Sequence, residues 1–182
     1  MRFCSIASGS SGNCIYVGSD NTHVLVDIGI SGKKMETGLN SLELTGRDLD
    51  GILITHEHSD HIKGLGVISR KYGIPIYATA GTVDAMVRTN ALGKIPEGIF
   101  HEIQEDEPFM INDLKVNPFT IPHDAAQPVG YRLEHEGHSV GIATDLGKYN
   151  DYIIENLQGL DALLLEANHD IRMLQVVNIH II

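Results

Sequence analysis

The stretch LDGILITHEHSDHIKGLG, Leu49 to Gly66, decides the reading of this chain. Gly51–Thr55 is short, β-branched and free of polar alternation, which marks a strand buried on both faces. Directly after it come three histidines, Glu57 and Asp60, all within His56–His61. In an extended segment alternate side chains share a face, so His56 and His58 can meet one cation while Glu57 points away. Asp60 and His61 open the following helix and can enter the same cleft from another angle, serving a second ion. Neutral imidazoles suit zinc, and also iron or manganese in mixed nitrogen and oxygen sites. One histidine at a strand end is ordinarily a satisfied polar residue. Ordinary surface polarity, in a chain with 20% charged residues, does not account for four candidate ligands spaced H-x-H-x-D-H.

Two ions need more donors than this turn offers, since each takes about four. The remaining ligands should sit at other strand ends. His123 in FTIPHDAAQP ends an apolar run, and Asp145 in SVGIATDLGKY ends VGIAT. Alone, His123 would read as a loop histidine and Asp145 as a helix N-cap. Beside the first cluster both read as ligands, and the two oxygens of Asp145 could bridge the ions. Asp60 is also a catalytic candidate. In SGSSGN, Ser8 to Asn13, small residues could turn backbone N–H groups toward an anion, with Ser10, Ser11 and Asn13 as substrate contacts. An ordinary hairpin turn explains the same loop equally well. Asn168 and His169 in EANHD follow a strand, as a substrate contact and a proton donor, or as a turn capped by Asn168. His135 and His138 fall in a charged hairpin and read as solvated. His23 and His101 have no partner that suggests chemistry.

With 182 residues the chain has one domain's worth of sequence and can bury a core without staples. It lacks a long apolar run, so a soluble protein with no membrane contact is expected. Cys4 and Cys14 read as reduced thiols, which together with an N-terminus lacking an export signal places the expected location in the cytoplasm. The formal charge of −11 argues against broad attraction to nucleic acid, though bound cations would offset it locally.

Short apolar runs alternate with Gly, Asn and Asp turns. Strands are expected over 2–7, 14–18, 22–29, 51–55, 74–79, 98–103 and 161–167, with hairpins turning at Asn112-Asp113 and Glu136-Gly137. Helices are expected over 32–44, 61–73, 82–92 and 149–157. Strands inside and helices interleaved predict an α+β fold, a four-layer αββα sandwich.

The blocks SIASGSSGNC, LDGILITHEHSDHIKGLG, ATDLGKY and LLLEANHD together resemble the metallo-β-lactamase fold superfamily, and within it the YycJ/WalJ group. The resemblance runs to about Leu174. It implies the αββα sandwich with a dinuclear site between the sheets: His56, His58 and His123 on one ion, Asp60 and His61 on the other, Asp145 bridging. It also implies two divalent cations (zinc first, manganese or iron as alternatives) and 5′ to 3′ exonuclease action on DNA, with links to DNA repair and cell-wall signalling. The superfamily pattern has one more histidine, in a GHLS-like stretch, which this chain lacks; His180 in VVNIHII has a different, apolar context. The expectation is therefore a domain over 1–174 whose C-terminal part is missing, followed by an atypical tail over 175–182, as in a truncated or frame-shifted product. Two competing functions stay open: hydrolysis of small esters, thioesters or lactams on the same site, and a metal-binding protein without turnover.

Overall fold

The computed structural model describes residues 1–167. One sheet holds β1 (Arg2–Ala7), β2 (Cys14–Gly18), β3 (His23–Val26), β4 (Gly51–Leu53), β5 (Ile76–Thr79) and β6 (Phe100–Ile103), side by side in that order. The pairs are antiparallel from β1 to β3 and parallel from β3 to β6. Parallel neighbours need crossovers. These are α1 (Gly32–Ser41), α2 (Ser59–Ile62) with α3 (Leu65–Tyr72), and α4 (Ala80–Arg88). The second sheet runs β7 (Phe109–Ile111), β8 (Leu114–Thr120), β9 (Val129–His135), β10 (His138–Leu146) and β11 (Ala162–Ala167). It is antiparallel up to β10; α5 (Asp151–Leu157) then crosses over and β11 pairs in parallel.

The pleat distributes side chains between layers. Along β2, Tyr16 joins the apolar cluster shared with Met35, Leu39, Leu65 and Met86 of the helices. Its neighbours Ile15 and Val17 face Leu114, Val116, Tyr131 and Ile142 of the other sheet. On the far side of the second sheet, Ile153 and Leu157 of α5 pack on Phe119, Ala143 and Leu146. The order is helices, sheet, sheet, helix, the αββα sandwich expected from the sequence. Both hairpins turn where expected: Ile111 pairs with Leu114 and His135 with His138.

The helix expected over 61–73 is two helices instead. It begins earlier, at Ser59, and breaks at Lys63–Gly64. Backbone pairing outside the helix causes the break. The His61 carbonyl accepts from Ile28 N at 2.7 Å, and Gly64 N donates to Ile28 O at 2.8 Å. A Cβ at residue 64 would lie 2.2 Å from the Ile30 carbonyl oxygen, so only glycine permits this docking. Helices α1 and α4 also stop sooner than their periodicity suggested, at Ser41 and Arg88, with Glu43 and Asn90 in left-handed backbone just beyond. Among the described residues no helix is long and apolar enough to cross a membrane. The expected boundary at 174, and Asn168, His169 and His180, lie outside the described residues.

Candidate metal centre

The site lies where the C-terminal end of β4 meets the β8–β9 loop and the end of β10. One ligand atom from each of His56, His58 and His123 lies within 4.8 Å of the others, and the same holds for His56, His61 and Asp145. His58 Nδ1 and His123 Nε2 are 3.2 Å apart. The Asp60 carboxylate stands beside these groups, its Oδ2 3.6 Å from His61 Nε2. All six residues singled out as ligands therefore converge, four from the segment that follows β4 of the first sheet and two from the second sheet. Glu57 points away, as alternation required, and accepts from Ala126 N at 2.8 Å, which ties the His123 loop to the H-x-H segment.

Two residues that sequence reasoning did not single out hold the histidines in place. Asp27, fully buried at the end of β3, accepts from Thr55 N at 2.9 Å, from Thr55 Oγ1 at 2.8 Å and from His61 Nδ1 at 2.8 Å. Thr55 Oγ1 also lies 3.0 Å from His56 Nδ1. With the hydroxyl donating to Asp27, it accepts from His56 Nδ1–H, so the network assigns both Nδ1 atoms as donors and turns both Nε2 atoms into the site. A carboxylate behind a ligating imidazole raises its basicity and fixes its orientation. Only one signal pointed to Asp27: a charge closing the apolar run HVLV. Glu166, at the end of the apolar run LLLEA, is a third omission. Its Oε2 is buried without a partner among the described residues, and burial first, then the Asp145 charge, raises its carboxyl.

Charge at the centre is unevenly shared. Burial and the surrounding imidazoles push His56 down to about 2, leaving a neutral nitrogen donor. Burial also opposes charge on His61, but Asp27 and Asp145 outweigh it and hold that imidazole up at about 10. Contact with His61 keeps the Asp145 carboxyl below its usual range. His61 Nε2 and Asp145 Oδ2 are 2.9 Å apart, yet among the described residues Asp145 Oδ2 has no aligned hydrogen-bond partner, and neither has His56 Nε2, 4.0 Å away. Buried polar atoms without partners are costly. Atoms that converge in this way without donor–acceptor alignment form a group able to hold a metal ion. The nitrogen and carboxylate donor set fits divalent cations.

In the SGSSGN loop, the side chains of Ser10 and Ser11 lie on the surface, whereas Asn13 is buried beside His61. Gly9 N, Gly12 N and Asn13 N all donate within the protein, so a nest for an anion is narrowed to Ser10 and Ser11. His135 departs from its expected solvation: it folds against Asp113, its Nδ1 3.2 Å from the Asp113 carbonyl oxygen. His138 is exposed. His23 pairs with Tyr16 Oη at 2.8 Å, and His101 stacks on Tyr77.

A family model described as "Beta-lactamase superfamily domain" matches residues 22–181. The chain belongs to the metallo-β-lactamase superfamily. This superfamily member is 40% identical to exodeoxyribonuclease YycJ of Bacillus anthracis over 176 residues, covering 97% of this chain and 66% of that protein. It is 39% identical to exodeoxyribonuclease WalJ of Streptococcus pneumoniae over 175 residues, covering 96% of this chain and 65% of that one. It thus spans slightly less than two thirds of the length of these relatives. Zinc-bound PqqB from Methylobacterium extorquens has the same fold, with a TM-score of 0.71 at 18% identity over 90% of this chain and 63% of that one.

Proposed function

We propose that this superfamily member is a metal-dependent phosphodiesterase that degrades DNA from an end, 5′ to 3′, in the cytoplasm. The observation that carries the metal reading is the facing of His56 Nε2 and Asp145 Oδ2, both buried, neither with an aligned hydrogen bond among the described residues. The nuclease reading is supported by the likeness to proteins named exodeoxyribonucleases. His56, His58 and His123 would hold one divalent cation, and Asp60 and His61 a second, with Asp145 available to either. Zinc is the first choice, manganese or iron the alternatives. Such a pair, when bound, lowers the pKa of water and offsets phosphoryl charge.

The chain's own residues supply the rest. Asp27 and Thr55 keep the two Nε2 lone pairs directed inward. Asp60, one-third exposed at its side chain, is open to solvent and takes at Oδ2 the proton that water loses as its oxygen attacks phosphorus. His169 returns a proton to the leaving oxygen as the phosphorus–oxygen bond breaks. Ser10 and Ser11, exposed on their loop, contact the strand, and Asn168 is a further substrate contact by the same reading. No nucleophile from the protein is needed.

The test uses the chain stripped with chelator and reloaded with zinc or manganese. Mononucleotides should appear from 5′-labelled duplex only after reloading, and His56→Ala or Asp145→Ala should abolish release. Cleavage of a lactam and thioester panel with DNA left intact would transfer the site to small-molecule hydrolysis. One ion or none per chain, with no turnover, would make it a binding protein.

A further inference from the structure

Asn13 is a buried amide with a single group left to spend. It is 1% exposed. Its backbone N–H donates to the Asp60 carbonyl at 2.8 Å and its own carbonyl accepts from Gly29 N at 2.7 Å. Side-chain Oδ1 accepts from Gly9 N at 3.1 Å, which fixes the orientation of the amide. Only Nδ2 faces the cluster, 3.2 Å from His61 Nε2. The surroundings permit no drift: a Cβ on Gly29 would meet Asp60 O at 1.5 Å and Asn13 N at 2.7 Å, so the loop, the motif turn and the end of β3 are pressed together.

An imidazole nitrogen has one lone pair. Once a cation engages His61 Nε2, that nitrogen can accept nothing more. The Asn13 donor is then buried and without an acceptor among the described residues, a condition proteins avoid. The reaction itself brings one. We infer that Asn13 Nδ2 donates a hydrogen bond to a non-bridging oxygen of the substrate phosphate seated beside His61, as the site's neutral phosphate-binding donor. This rests on the phosphodiesterase reading above. A neutral amide suits the position, because Asp27, Asp60, Asp145 and Glu166 already crowd this end of the cleft with carboxylates, and an amide recognises a phosphoryl oxygen without titrating.

The experiment compares wild type with Asn13→Asp, which keeps an oxygen acceptor for Gly9 N but loses the donor, and with Asn13→Leu, a neutral side chain of similar size. Metal content is measured first, then affinity of the manganese-loaded proteins for thymidine 5′-monophosphate by calorimetry, then KM and kcat on DNA. A lost hydrogen bond to a charged group corresponds to about a tenfold weakening or more. Both variants should retain the wild-type metal content, bind the nucleotide at least about tenfold more weakly, and show the loss in KM, even where the buried substitution lowers the thermal midpoint. Wild-type affinity in either variant would overturn the role of Asn13 while leaving the nuclease reading intact. Wild-type protein that binds no nucleotide and degrades no DNA would overturn both. Parallel loss of metal and of thermal midpoint in both variants would make Asn13 a structural clasp and overturn the inference.

Discussion

Asp27 and Asp145 both hold left-handed backbone, at φ 60° and 56°. That region costs a non-glycine residue energy, and aspartate and asparagine bear it best. Both residues face the cluster, so the strained conformation is what turns a strand-end carboxylate back into the cleft. Asp27→Asn keeps the tolerated conformation and removes the charge behind His61. Affinity for zinc or manganese should then fall about 10–100-fold in a chelator competition. An unchanged affinity would mean that packing alone orients His61. At this scale the sequence was legible where spacing carried the chemistry: H-x-H-x-D-H announces itself within six residues. Asp27 was not, because it meets its partner His61 across 34 positions and looks locally like any polar strand terminus. Glu166 hid in the same way behind an apolar run.

Between α2 and α3 the chain gives up two helical positions so that residues 60–64 can pair with residues 13 and 28. The short helix α2 is held by that pairing, not by its own length, since a single turn is unstable alone. Gly64→Ala would drive a methyl against the Ile30 carbonyl oxygen, and should cost at least about 2 kcal/mol in urea denaturation. Metal content should drop with it, because His61 rides on α2. A variant with wild-type stability would show that the Ile28–Ile30 segment can yield. Periodicity announced a helix here, and the apolar face of α3 does follow it. The interruption was illegible because it is imposed by a backbone edge thirty-odd residues earlier, which leaves no mark in the local pattern.

The two sheets meet through an apolar interior with polar ties at its rims. Tyr131 of β9 donates to the Ile54 carbonyl of the first sheet at 2.7 Å, one residue before Thr55. Tyr131→Phe leaves that buried carbonyl unpaired and should lower stability by about 1–3 kcal/mol in chemical denaturation. At the opposite rim, Asp113 accepts from Ser19, Asn21 and Thr22, joining the β7–β8 turn to the β2–β3 turn. The Thr22 hydroxyl above all, with Ser19 and Asn21, holds the Asp113 carboxyl down at about 2, against an ordinary 3.8. A carboxyl depressed on folding stabilises fully above its unfolded value and loses that contribution as pH falls through the folded one. Asp113→Asn should therefore melt below wild type near pH 6, with the gap closing toward about pH 2; a gap independent of pH would place the effect elsewhere. The layer order was legible, since continuous apolar runs announce strands covered on both faces. The pairing of these rims was not, because it joins turns more than ninety positions apart.

The cluster draws His56, His58, Asp60 and His61 from the strand ends of one sheet and His123 and Asp145 from those of the other. A cation seated there fastens one half of the sandwich to the other, much as a rivet joins two plates. Loading and resistance to unfolding become the same quantity measured twice. Stripping the ion should loosen the whole assembly, and the melting temperature should climb with the concentration of free metal.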